Sequence, residues 1–272
     1  MMRALYTAAT GMIAEQTNLD TISNNLSNVN TNGYKTERTE FKSLLYQTLQ
    51  TKTTTANGEE KPVGAQVGLG TRVAATTSMY TQGSMLASEN DTDFAIEGNG
   101  FFSIRAVDGQ VYYTRNGNFT WSIAQDGRTM LADFEGNPVL DQNGNEIYVP
   151  DGISTENMIF SDTGAIGYMN ADNEYVDLGQ TFGIYQFNNP SGLEKLSSSR
   201  LQATAASGNA MLESGNANLK ASKIHQNYLE GSNVQVADEM VNMIIAQRAY
   251  ELNSKAIQTA DSMLDTANNL KR

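Results

Sequence analysis

The chain has 272 residues, a net charge of −12 from 18 Lys and Arg against 30 Asp and Glu, one histidine and no cysteine. That length allows one large domain or two smaller ones. The lack of cysteine excludes disulfide staples and thiolate metal sites, and no apolar run of about eighteen residues offers a membrane-spanning helix. The acid is concentrated: residues 89–177 hold sixteen acids and three bases (Arg105, Arg115 and Arg128), leaving the two ends close to neutral. An acidic middle stays hydrated and repels its own copies, and with no basic stripe nucleic acid is not an expected partner.

Residues 2–29 predict a helix of about 42 Å at roughly 1.5 Å per residue. Leu5, Met12, Leu19 and Leu26 recur every seventh position, with Ala8, Ile22 and Val29 three positions beyond three of them. Such a repeat leaves one narrow apolar seam, which only another helix can bury. Thr7, Thr10, Glu15 and Gln16 interrupt the stretch, so it lacks the continuous apolar core of a cleaved secretory signal. Asn24, Asn25, Asn28 and Asn30 crowd the last turns, although Asn is a poor interior helix residue. They mark either a fraying end or buried amides that fix register and partner. Asn32-Gly33 then supplies a left-handed stop.

Residues 36–50 read as a short helix or an extended arm carrying Phe41, Leu44, Leu45 and Leu49, and residues 51–70 as a flexible loop or extended strand with no core residues. A segment so long and so free of bulk is expected to bridge neighbouring subunits. From Thr92 the pattern turns to short strands, through Phe94, Ile96, Phe101, Phe102, Ile104 and onward to Phe187. Turn pairs such as Asp108-Gly109, Asp126-Gly127 and Asn143-Gly144 separate them in an antiparallel meander. Residues 191–225, rich in Ser, Ala, Asn and Gly, read as an irregular return arm. A second helix is expected from about Asn233 to Leu270, with Ser232 or Asn233 as N-cap. It repeats the heptad through Val236, Met243, Tyr250, Ile257 and Leu264, with Ala246, Ala260 and Ala267 interleaved.

Residues suited to catalysis are scarce. His225 lies in a Ser/Ala/Asn-rich stretch with no nucleophile elbow and reads as a surface or packing residue. Gly98-Asn99-Gly100 precedes a strand where a nucleotide fingerprint requires a helix, so it is a turn. Asp141, Asn143 and Asn145 resemble a calcium loop, but Gly144 and Gly152 stand at the wrong positions, so a hairpin turn is expected. No catalytic, cofactor-binding or metal residue is expected and the enzyme reading is weak. Trp121 and the Tyr-rich middle leave a carbohydrate-binding β module as a minor alternative.

The segment Ser27-Asn28-Val29-Asn30-Thr31-Asn32-Gly33-Tyr34-Lys35 resembles the N-terminal signature of the bacterial flagellar rod and hook axial proteins. The first helix, and residues 227–264 with Gln247-Arg248-Ala249-Tyr250-Glu251, match the same family at its other end. Asn28, Asn30, Thr31, Gly33, Tyr34 and Lys35 carry the motif. Within the family the chain is most similar to distal rod members. The opening through Met12, the segment at 47–66 and Glu97-Gly98-Asn99-Gly100-Phe101-Phe102 carry that likeness; a proximal rod paralogue is the alternative. The resemblance implies an α+β fold. In it, long N- and C-terminal helices (1–35 and 228–272) form a coiled-coil inner domain, 36–89 and 191–227 form connecting arms, and an outer all-β domain of short antiparallel strands spans 90–190. It implies a structural subunit that polymerises helically with itself into a hollow torque-bearing shaft. Its partners would be proximal rod proteins, hook protein, surrounding basal-body rings, a rod cap and the type III export apparatus. The location implied is the periplasmic basal body, reached without a cleaved signal. The assembly interface would use Leu5, Met12, Leu19, Ile22, Asn25, Leu26, Asn28, Val29, Val236, Met240, Met243, Tyr250, Ile257 and Leu264.

Overall fold

The computed structural model describes residues 2–50, 64–124, 126–150, 152–170, 174–197, 199–216 and 219–270. They fall into two units: Met1–Ser27, Glu37–Ser78 and Gln235–Arg272 make one, and Asn28–Thr36 with Met79–Val234 the other.

The first unit is built on helix α1 (Met2–Ser27) and helix α2 (Val236–Asn269), which pack on one another. Asn25 donates to the Glu239 carboxylate at 3.3 Å, and a Cβ on Gly11 would stand 2.8 Å from Asn253 Nδ2. Positions advancing along α1 thus meet positions receding along α2, and the helices are antiparallel. Small residues line the approach: Ala8, Ala14, Ala246 and Ala260 are all buried. Against α1 lies a two-stranded ribbon. Glu37–Ser43 pairs antiparallel with Thr71–Ser78, and further out Tyr46–Gln50 pairs with Ala65–Gly68. Of the two readings for 36–50, the extended one is therefore what forms. The Asn25 amide grips the ribbon as a strand would, donating to Glu37 O at 2.8 Å and accepting from Glu37 N at 2.9 Å, while the Thr21 and Thr39 hydroxyls meet at 2.9 Å. Most of the expected bridging segment, residues 51–63, lies outside the described residues.

The second unit is a stack of small antiparallel sheets. Its centre is six-stranded, in the order Glu194–Lys195, Leu201–Gln202, Val111–Thr114, Phe101–Arg105, Ile184–Gln186, Met211–Leu212. Alternation along Phe101–Arg105 sends Phe102 and Ile104 to one face and Phe101 to the other. Phe102 joins the main core with Phe94, Phe119, Phe182, Leu131 and Ile166, whereas Phe101 joins Tyr113, Phe187, Leu193 and Leu201. Edge-to-face ring contacts, such as Phe102 to Phe119 at 5.2 Å between centroids, add directionality to that burial.

The meander expectation holds at its turns: Gly109, Gly127, Gly136 and Gly144 all adopt positive φ. Asp141 closes the supposed calcium loop on itself, its Oδ1 accepting from the N–H groups of Asn143 and Asn145 at 2.8 Å each.

Three sequence expectations need correction. Residues 191–225 are no loose return arm; they supply three strands of the central sheet, and Lys223–Gln226 pairs with Phe94–Glu97. The domain edges near 35, 90 and 190 give way to the division above: 28–36 and 79–89 fold with the β unit, tied there by charges described below. The N-cap of α2 is Gln235 without a side-chain bond, because Asn233 spends its amide elsewhere.

Candidate assembly surface

In the helical unit the heptad residues are mostly used within the chain. Leu5, Met12, Leu19, Leu26, Met243, Ile257 and Leu264 are half-buried and Ile22 is fully buried, whereas Val236, Met240 and Tyr250 remain exposed. Asn25 is buried in the grip on the ribbon, and Asn28 and Val29 belong to the β unit. What stays bare is a second set, which heptad reasoning missed. On α2, Val241, Ile244, Ile245 and Leu252 are exposed by 55, 56, 61 and 66%; on α1, Met2, Tyr6 and Ile13 are exposed too. They sit one to three positions off the named seam residues, so an amphipathic wheel drawn with a single apolar stripe hides them. The ribbon adds Leu45, Tyr46 and Leu49, also exposed. Apolar side chains clustered this way on a long element mark a contact surface.

The motif residues prove to be structural anchors in the β unit. Gly33 (φ +71°) donates its N–H to Glu230 O at 2.7 Å, and a Cβ there would stand 2.8 Å from the Arg115 and Asn116 backbone. Only glycine suits both the torsion and the space. Two residues on, the Lys35 ammonium reaches Glu230 Oε1 at 2.6 Å and Thr81 O at 2.7 Å. Arg115 binds the other carboxylate oxygen, Nε at 2.9 Å, and also donates to Gly98 O. Gly83 N–H completes the shell of Glu230 at 2.9 Å. All three charged side chains are buried. With two cations on one anion, burial pushes the Lys35 ammonium below its ordinary value, the nearby Arg115 pushes the same way, and Glu230 opposes both. Thr31 Oγ1 donates to Asn28 Oδ1 at 3.1 Å, which sets the turn leading into Gly33. Tyr34 lies under the Lys195 ammonium, and Asn30 is exposed.

Elsewhere His225 pairs with Glu97 at 2.9 Å on the surface, and Trp121 packs against the main core. A cavity of about 270 Å³ lies beside Tyr148, lined by Arg128, Val149, Pro150, Leu178 and Gln180.

Helical ends with bare apolar rows, joined to a stack of antiparallel sheets, define an axial assembly protein. Comparison with known families agrees. Residues 5–35 match the model "Flagella basal body rod protein", 95–168 match "Flagellar hook protein FlgE/F/G D1 domain", and 225–270 match "Flagellar basal body rod FlgEFG protein C-terminal". The flagellar basal-body rod protein FlgG of Borreliella burgdorferi is 45% identical, covering 100% of both chains. FlgG of Buchnera aphidicola subsp. Schizaphis graminum is 38% identical over 99% of this chain and 100% of its own, and that of Bacillus subtilis 34% over 100% of both. The chain belongs to the FlgG family of flagellar basal-body rod proteins. The family's members are structural rod proteins, not enzymes.

Proposed function

We propose that the chain is the distal rod subunit in its cell and that it polymerises through the helical unit. Copies pack α1 and α2 against neighbouring α1 and α2 as an inner coiled-coil layer around a channel. The observation that carries this reading is the bare second row on each helix. Fully burying one such side chain contributes roughly 1.5–3 kcal/mol, so the exposed fraction of Val241, Ile244, Ile245 and Leu252 leaves several kcal/mol per copy for contacts between subunits. The same contact repeated by rotation and rise yields an open tube. The ribbon contributes Leu45, Tyr46 and Leu49 to the same contacts. Family membership supports placement in the periplasmic basal body after type III export. It also supports junctions with proximal rod proteins below, hook protein above, a rod cap during growth and rings around the shaft. Sedimentation and negative-stain microscopy of the concentrated full-length chain, alone and seeded with isolated rods, test the proposal. Tubes or lengthened rods are expected; monomers under both conditions would overturn it.

A further inference from the structure

The chain passes between its two units four times, after Ser27, Thr36, Ser78 and Val234. Three of those passages start from residues that one amide holds together on the β-unit side. Asn233 Oδ1 accepts from both the N–H and the Oγ1 of Thr36, at 2.7 Å each. Its Nδ2 donates to Met79 O at 2.8 Å, to Thr81 Oγ1 at 2.8 Å and to Thr81 O at 3.2 Å. Met79 N–H donates in turn to Thr36 O at 2.8 Å, which closes the ring of contacts. An Asn side chain offers two donors and two acceptor sites, and here all are engaged. The same three stretches of chain are tied again by the Glu230 carboxylate, through Lys35 and the Gly83 N–H.

We infer that Asn233 is a torsional clamp: it binds three polypeptide links into one bundle where they leave the β unit, so that they twist together. A single link turns freely about its own φ and ψ, and three fastened side by side cannot. In a shaft this would raise resistance to twist, so the mechanical half of the inference rests on the rod reading above. Asn233 suits this role better than Glu230, which is fully buried and whose loss would strand two cations in the fold.

The test uses full-length Asn233→Asp, which keeps shape but loses both donors, and Thr36→Val, which removes one hydroxyl. Amide exchange is read first. At least a tenfold faster exchange of the Met79 amide is expected in Asn233→Asp, whose retained oxygen still accepts from the Thr36 N–H, a smaller gain at Met79 in Thr36→Val, and no change at Phe102 in either. Unchanged exchange at Met79 in Asn233→Asp overturns the clamp whether or not the protein polymerises. The second reading is the torsional stiffness of single polymers, from the rotational fluctuations of a bead on a surface-held tube, expected to fall at least twofold in Asn233→Asp while tubes still form. Tubes of unaltered stiffness would refute the mechanical role. Failure of the unmodified chain to form tubes would instead strike the rod reading, and the exchange result alone would then decide the clamp.

Discussion

A tyrosine and a lysine show how burial is felt at single residues. The Tyr113 hydroxyl sits in the second core, and desolvation, with a smaller push from Tyr185, raises it from 10.0 to about 12. The folded state therefore keeps that proton at a pH where the unfolded chain has released it. Its contribution to stability is complete below pH 10 and is lost as pH rises toward 12. Lys35 runs the other way, since its lowered value means that the folded state gains relative to the unfolded as the ammonium is neutralised. Melting the full-length chain and Tyr113→Phe at about pH 8 and about pH 11 separates the two. The unmodified chain should lose about 1.4 kcal/mol that the variant keeps; parallel losses would show that Tyr113 does not titrate in this window. Much at this scale was illegible beforehand. Asn233 carries the side chain of a helix cap and stands two residues before the cap position, yet its partners lie at Thr36, Met79 and Thr81. Lys35 and Glu230 stand in recognisable motifs, but nothing local says that they meet, because the contact joins opposite ends of the chain.

Among the elements, the two helices were legible because a seven-residue period persists through many turns. The strands Leu201–Gln202 and Met211–Leu212 were not, because two residues cannot display alternation. The meander was carried by its turns, whose glycines need φ above zero. The helix surface itself was only half read: the seam found by periodicity is largely spent inside the chain, and the row beside it is what stays exposed. Two substitutions distinguish these faces. Leu19→Asp puts a charge into the half-buried seam and should destabilise the helical unit of the monomer, lowering its melting by an amount equivalent to about 2–4 kcal/mol. Ile245→Asp, on the exposed row, should leave monomer melting within about 0.5 kcal/mol and abolish pelletable polymer. Normal polymers from Ile245→Asp would show that the row faces solvent in the assembly.

At the scale of the whole molecule, charge and stickiness are segregated. The excess of acid lies in residues 89–177, while the ends that present bare apolar rows are close to neutral. Copies gathered in a tube bring the acidic parts near one another, and their repulsion opposes assembly until salt shortens its range, from about 10 Å at 0.1 M to about 3 Å at 1 M. The concentration needed for polymer to pellet should therefore fall several-fold across that range of sodium chloride. A rise would mean that ion pairs between copies outweigh the repulsion. The antiparallel pairing of α1 with α2 also bears on biosynthesis. Gly11 meets Asn253, so nearly the entire chain intervenes between partners that must find each other, a contact of long sequence separation whose loop is costly to close. The first helix made is thus the last to be covered. A polypeptide broken off before Val236 keeps α1 with its seam bare and never completes the face that neighbours would grip. If copies add through both helices, as proposed above, the fold itself proofreads length, since an unfinished copy lacks half of what it would need to be added.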